Sequence, residues 1–410
     1  MISRRTLLAA APALAAAPLA RTAQAQGNPA QGKPIRIGVM NDGSGPYRDI
    51  AGLASAAAVR LAVQEMAGSV NAEVLYADHQ NKPDVGAGIA RQWFDRDGVD
   101  LIVDVNTSSV ALAVNQVCKE KDRAYVNVGA ATADLTGPQC TPVTVHWSYD
   151  TWMLARSTGG AVVQAGGDSW YFLTADYVFG QQLQRDTTGF VTRGGGKVLG
   201  ASSYPFPGTT DFSSFLISAQ ASGAKVLGLA NAGTDTINSI KQAAEFGLTR
   251  QMKVAALLMY VSDVHGLGLE TAQGLYMTES FYWDLNDRTR GFSDRFKALY
   301  PGARPNMDNA GCYAGALHYL KAAKDMGVAA AQASGAAAVA RMKAMPTADD
   351  AFGAARIRED GLAIIPSFLF QVKTPAESRG PWDYLKVVVM TPADQAWKPL
   401  AESGCPLVRT

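Results

Sequence analysis

The run Leu101-Ile-Val-Asp-Val-Asn-Thr-Ser-Ser-Val110 constrains this chain more than any other. Leu101 to Val105 has the β-branched content of a buried strand, whereas Ala111, Val114 and Cys118 recur at helical spacing. Thr107, Ser108 and Ser109 therefore fall at a strand-to-helix junction. In open parallel sheets ligands sit beyond the carboxyl ends of the strands, and the free N–H groups and positive end of the following helix attract an anion. Serine also caps helices routinely, so Ser108 alone has two readings, a cap and an anion ligand. Residues 124–128 read as a neighbouring strand followed by Gly129-Ala-Ala-Thr-Ala-Asp134. Ser108 and Thr132 would then stand at one sheet edge, where their hydroxyls and backbone N–H groups can share a carboxylate.

The alternation continues on both sides of this junction. A strand over 34–39 leads into the turn-forming loop Asn41-Asp-Gly-Ser-Gly-Pro-Tyr47, then into a helix with Ala56, Val59, Val63 and Met66 on one face. A strand over 74–77, helix 85–97, strand 99–105, helix 109–121 and strand 124–128 predict a parallel, doubly wound sheet. After 143–147 the pattern restarts: strand 169–174, helix 181–193 ended by Gly194-Gly-Gly196, strand 225–229 leading to Asn231, a helix through Phe246, and strand 253–259. This is a second sheet of the same kind. A strand over 274–281 carries the chain back to the first lobe, which takes helices 288–300, 308–326 and 329–344. Strands 368–372 and 384–390 suit the second lobe.

The first residues pair Arg4 and Arg5 with an Ala/Leu/Pro run and a small-x-small signal at Ala23-Gln24-Ala25, a secretory leader over 1–25 of twin-arginine form. Removing it takes Arg4, Arg5 and Arg21 and leaves 34 basic against 36 acidic side chains. A near-neutral chain offers no field for nucleic acid or anionic lipid. Cys118 and Cys312 sit on apolar helix faces and read as buried thiols, whereas Cys140 and Cys405 lie in loops near prolines and read as a disulfide. His79, His146, His265 and His318 are scattered without metal-ligand spacing, so no metal site is expected. Neither a glycine-rich dinucleotide loop, a Walker loop nor Gly-x-Ser-x-Gly is present, and neither a cofactor nor an enzymatic activity is expected.

Taken together, the exported start, the two βα lobes and the motifs Ile37-Gly-Val-Met-Asn-Asp-Gly-Ser-Gly-Pro46, Asn106-Thr-Ser-Ser109 and Gly129-Ala-Ala-Thr132 resemble the periplasmic solute-binding proteins of branched-chain amino acid type ABC transporters. The resemblance implies a type I periplasmic-binding fold, α/β with two doubly wound parallel-sheet lobes joined by three crossovers that close by hinge motion. Lobe 1 is then 34–150 with 280–361, lobe 2 is 151–279 with 362–392, and 393–410 form a C-terminal tail. By resemblance Ser108 and the loop Ala130, Ala131 and Thr132 hold a ligand carboxylate, with Ser109 beside them. Asp150 stands where an ammonium ligand belongs, and Phe179 with Tyr177 covers the ligand from lobe 2. Ser44, Tyr47, Tyr149 and Asn231 complete the expected site, with Met259 or Tyr260 where amino acid binders carry a second acid. A single carboxylate compensates a buried ammonium poorly, which opens the site to aromatic or aliphatic acids. The resemblance further implies a periplasmic monomer that delivers its ligand to permease and ATPase subunits. A ligand-sensing receptor of the same fold is the alternative.

Overall fold

Four of the five strands first met in the chain are buried along most of their length, and their pairing sets the first lobe. The computed structural model describes residues 33–408, so the leader over 1–25 lies outside the described residues. Strands β1 (Ile35–Asn41), β2 (Ala72–Asp78), β3 (Leu101–Asp104), β4 (Ala124–Asn127) and β5 (Thr144–His146) form an all-parallel sheet in the order β2-β1-β3-β4-β5. Residues of β3 and β4 are buried on both faces, as continuous apolar runs in parallel sheets require.

Helix Met307–Met326 returns from the second half of the chain and packs against helix Gly52–Met66 within this lobe. It comes close to the sheet through small residues. A Cβ at Gly315 would lie 2.4 Å from Val126 Cγ1, and one at Gly311 would lie 2.0 Å from Ser148 Oγ. Alanine at either position would push the helix off β4.

The second sheet joins β6 (Ser169–Ala175), β7 (Lys197–Tyr204), β8 (Val226–Ala230), β9 (Lys253–Ala256) and β10 (Tyr276–Glu279) in parallel. Between the two lobes' late segments lies a small antiparallel sheet of β11 (Thr347–Asp349), β12 (Gly353–Ile357) and β13 (Ala363–Ile364), which the sequence reading did not foresee. Two more strands, β14 (Ser367–Val372) and β15 (Leu385–Thr391), extend the second sheet to the order β15-β14-β10-β9-β8-β6-β7. β14 pairs antiparallel with β10 and β15 antiparallel with β14, so β14 is the one reversed strand of an otherwise parallel sheet. The loop between β14 and β15 contains no helix, and a parallel return needs a crossover of a dozen or more residues, usually helical.

The predicted helix over 329–344 is two helices, Val328–Ala333 and Gly335–Ala344, the second capped by Ser334, whose hydroxyl accepts from Ala337 N–H at 3.2 Å. Cys140 and Cys405 are bonded with their Cα atoms 5.6 Å apart, fixing the C-terminal tail beside the loop before β5. Cys118 and Cys312 are free and buried.

Candidate functional site

The helix after β3 is Ser108–Lys121, one residue earlier than expected, which makes Thr107 and not Ser108 the N-cap. Thr107 provides no side-chain cap, because its hydroxyl donates to Asn81 Oδ1. The Ser108 hydroxyl, 1 % exposed, finds no hydrogen-bond partner in the protein, and neither does the Asn106 amide Nδ2. Asn106 is fixed by its other atom, since Oδ1 accepts from Asp42 N–H at 2.8 Å. Two unpartnered donors and an uncapped helix N-terminus therefore meet at the carboxyl end of β3, the arrangement that receives an anion.

These groups face a narrow, closed cavity between the lobes. Lobe 1 supplies Tyr47, Ile50, Asn106, Ser108, Gly129, Ala131 and Tyr149, and lobe 2 supplies Tyr177, Phe179, Ala232, Leu258 and Tyr260. None of these residues is acidic or basic. Two phenol pairs bridge the lobes: Tyr47 and Tyr177 share a hydrogen bond of 2.6 Å, and Tyr260 donates to Tyr149, which in turn donates to Gly129 O at 2.6 Å. Thr234 N–H also donates across the cleft to Pro46 O at 3.1 Å, and Gln182 Nε2 to Asp134 Oδ2 at 2.9 Å. Burial pushes all four phenols well up from their ordinary range, so they stay neutral and serve only as hydrogen-bonding groups.

Several expected site residues are employed elsewhere. Asp150 is 1 % exposed and caps the helix Thr151–Leu154, its Oδ1 accepting from Met153 N–H at 2.7 Å. It lines a different cavity, with Trp152, Arg185, Asp186, Phe190 and Arg358, so its carboxylate does not reach the space where an ammonium group was expected. The physical reason is the free first-turn N–H groups of its own helix, which bind the side chain locally. Burial raises its carboxyl to about 7, with Met153 N–H pulling it down and Asp186 pushing it up.

Thr132 Oγ1 accepts from Asp134 N–H at 3.3 Å, capping the turn Ala133–Thr136. Ala130 packs in the lobe 1 core, and its carbonyl accepts from Asn127 Nδ2 at 2.9 Å. Ser109 is not among the lining residues. Ser44 is exposed and is not among the lining residues. Asn231 is buried within lobe 2, bonded to Ser239 at 3.2 Å and Thr236 at 2.7 Å. Met259 faces the lobe 2 core, while its neighbours Leu258 and Tyr260 face the cavity.

Sequence reasoning missed Ile50, Asn106, Gly129, Ala232 and Leu258 as lining residues. Asn106 was legible, because it lies in the same junction between β3 and the following helix as Ser108. Phe206 was missed as well: it stacks on Tyr177 at 4.3 Å and Tyr47 at 5.4 Å between ring centroids, backing the phenol pair from the loop after β7.

A family model described as periplasmic binding protein matches residues 34–380. The crystal structure of a periplasmic binding protein from Burkholderia mallei is similar at a TM-score of 0.87 and 46 % identity, covering 92 % of this chain and 99 % of that one. A branched chain amino acid ABC transporter periplasmic ligand-binding protein from Burkholderia xenovorans LB400 gives a TM-score of 0.79 at 36 % identity, with 91 % and 99 % covered. A solute-binding protein of an ABC transporter from R. palustris, solved in complex with benzoate, shares the fold with a TM-score of 0.79 at 18 % identity, with 91 % and 99 % covered. Leu/Ile/Val-binding protein homolog 4 of Brucella abortus is 24 % identical over 269 residues, and the alignment spans 62 % of this chain and 63 % of the length of that curated relative. The fold is that of substrate-binding, non-enzymatic proteins, with two α/β lobes and a neutral cavity between them. On the family match over most of its length, the chain belongs to the periplasmic binding protein family.

Proposed function

We propose that this protein captures a small carboxylate-bearing solute between its lobes outside the cytoplasm and delivers it to an ABC permease. One observation carries the reading. The buried Ser108 hydroxyl has no partner in the protein and stands on the wall of a cavity with no charged lining residue. An unsatisfied buried donor costs about 1–3 kcal/mol, and a carboxylate satisfies it together with Asn106 and the first-turn N–H groups.

The same cavity disfavours an obligatory ammonium group. No lining side chain carries negative charge, and a buried cation without a counter-charge is costly. Phe179, Leu258 and the four tyrosines instead suit an apolar or aromatic body with hydroxyl substituents. Solute-binding proteins of this fold have been solved with benzoate and with 4-hydroxybenzoate, which supports that ligand class without assigning it. Export follows from the family, and the leader over 1–25 would leave Gln26 as the first residue of the mature chain.

The test is calorimetric titration of the purified protein with benzoate, 4-hydroxybenzoate and leucine. The reading expects the aromatic acids to bind more tightly than leucine. Tight leucine binding with no affinity for either acid would overturn it.

A further inference from the structure

Behind the cavity wall two buried acids face one another. Asp104 ends β3, and Asp308 lies in the first turn of helix Met307–Met326; both are fully buried. Each has one oxygen satisfied. Asn41 Nδ2 donates to Asp104 Oδ2 at 2.9 Å, and Ser55 Oγ donates to Asp308 Oδ1 at 2.8 Å. The remaining oxygens, Asp104 Oδ1 and Asp308 Oδ2, find no partner in the protein. Those same two atoms converge on Gly129, where an added Cβ would lie 2.6 Å from each. An oxygen of Asp104, an oxygen of Asp308 and Cys312 Sγ all fall within 4.8 Å of one another.

We propose that Asp104 and Asp308 share one proton between their free oxygens, and that this pair couples capture of a carboxylate in the adjoining cavity to retention of that proton. The coupling rests on the carboxylate reading of the cavity; the shared proton does not.

The surroundings offer no other neutralising group. Helix Gly52–Met66 presents the Ser55 hydroxyl, and β1 presents the Asn41 amide, which accepts from Tyr76 OH at 3.0 Å. From β4, Tyr125 OH donates to the Asp104 backbone oxygen at 3.3 Å. Cys312 Sγ lies 3.8 Å from Asp308 Oδ1. Tyr149 and Tyr260 face the pair from the cavity side, and the nearby acids Asp42 and Glu279 bond to backbone N–H groups. Among the described residues no Lys, Arg or His forms an ion pair with either acid. Two adjacent carboxylates removed from water resist ionising together, so the last proton leaves only at raised pH. Burial raises both groups, and repulsion from Asp104 raises Asp308 further, while Asn41, Ser55, Cys312 and the Gly129 N–H pull back toward the charged form.

Gly129 and Asn106 both line the cavity, and both adjoin the pair: the Asn106 Cβ is 2.4 Å from the position of that added Cβ. A ligand carboxylate at Ser108 and Asn106 is therefore separated from the pair by a single layer of residues. Its negative charge opposes full ionisation of the two acids. At a pH where the ligand-free pair has released its proton, binding takes one proton back from solvent, and affinity falls as pH rises by at most tenfold per unit. At lower pH the pair keeps its proton in both states and contributes no pH dependence.

The experiment begins without ligand. Infrared spectra of wild type and of the double variant Asp104→Asn/Asp308→Asn are compared at about pH 7, the ordinary range for a carboxylate to be ionised. The protonated-acid carbonyl band should be stronger in wild type. Identical spectra, or one equivalent of a bound metal cation in the purified wild type, would overturn the shared proton. Benzoate is then titrated between about pH 6 and 9 in buffers of different ionisation enthalpy, where wild type should take up a proton as affinity declines and the variant should stay flat. If the double variant does not fold, Asp308→Asn alone should flatten the profile likewise. A parallel decline in both proteins overturns the coupling, as does leucine affinity that rises with pH and is lost in the variant. Failure of benzoate and leucine to bind at any pH, with the infrared difference present, overturns the carboxylate reading and the coupling but leaves the shared proton standing.

Discussion

Replacing Ser108 with alanine separates a ligand-binding hydroxyl from a structural one. A hydrogen bond from a hydroxyl to a carboxylate is charge-assisted and contributes about 1.5–3 kcal/mol. The Asn106 amide and the first-turn N–H groups remain in Ser108→Ala, so the lower end applies, about 1.5 kcal/mol or close to a tenfold loss of affinity. The effect on the ligand-free protein has a different sign. Because Ser108 Oγ is buried and unpartnered, removing it breaks no hydrogen bond and relieves an unsatisfied group. The ligand-free melting temperature should therefore stay level or rise. Titration calorimetry with benzoate gives the first quantity and a thermal melt gives the second. Unchanged affinity for an acid that wild type binds would refute the anion site, and a clear drop in the ligand-free melting temperature would show that the hydroxyl supports the fold.

Asp150→Asn should leave ligand affinity within about twofold, since its carboxylate caps a helix and lines another cavity, whereas a loss of tenfold or more would return it to the site. Its folded-state carboxyl is raised to about 7 from 3.8, so the folded chain holds a proton that the unfolded chain releases and stability falls as pH rises through that window. The variant should flatten that decline in melts recorded across the window. Reducing the Cys140–Cys405 bond, which spans 265 residues, should lower stability by about 2–5 kcal/mol, a prediction that ends if both thiols alkylate without reductant. Tyr47→Phe removes one hydrogen bond across the cleft and should weaken ligand binding by about 0.5–1.5 kcal/mol; unchanged affinity by the same calorimetry would show that the Tyr47–Tyr177 bond does not support closure.

The parallel first lobe was legible because each strand is an apolar run followed at once by helical spacing, and Ser108 followed from that junction. Asp150 was misplaced although the sequence held the signal: an acid directly before Thr151-Trp-Met153 is a helix cap by composition. Thr132 fails in the same way, as a short turn after β4 takes its hydroxyl. Of the alternatives Met259 and Tyr260, Tyr260 meets the cavity and Met259 the core, a choice made by the bend after β9 that no sequence pattern marks. No local pattern points to Phe206, because its role arises only where two distant tyrosines stack against it. The Asp104–Asp308 pair is equally invisible in sequence, since it joins residues 204 positions apart through a helix that returns late in the chain.

The central claim, that the cavity holds a carboxylate and does not require an ammonium group, is tested most directly by one thermal-shift panel. It pairs benzoate with benzamide, 4-hydroxybenzoate with its amide, and leucine with 4-methylpentanoate, the same skeleton without the ammonium. Each acid should stabilise the protein more than its neutral amide, because the amide loses the charge met by Ser108, Asn106 and the helix N-terminus. The acid lacking the ammonium should match or exceed leucine. Stabilisation by leucine alone, with no response to 4-methylpentanoate or to either aromatic acid, would contradict the account.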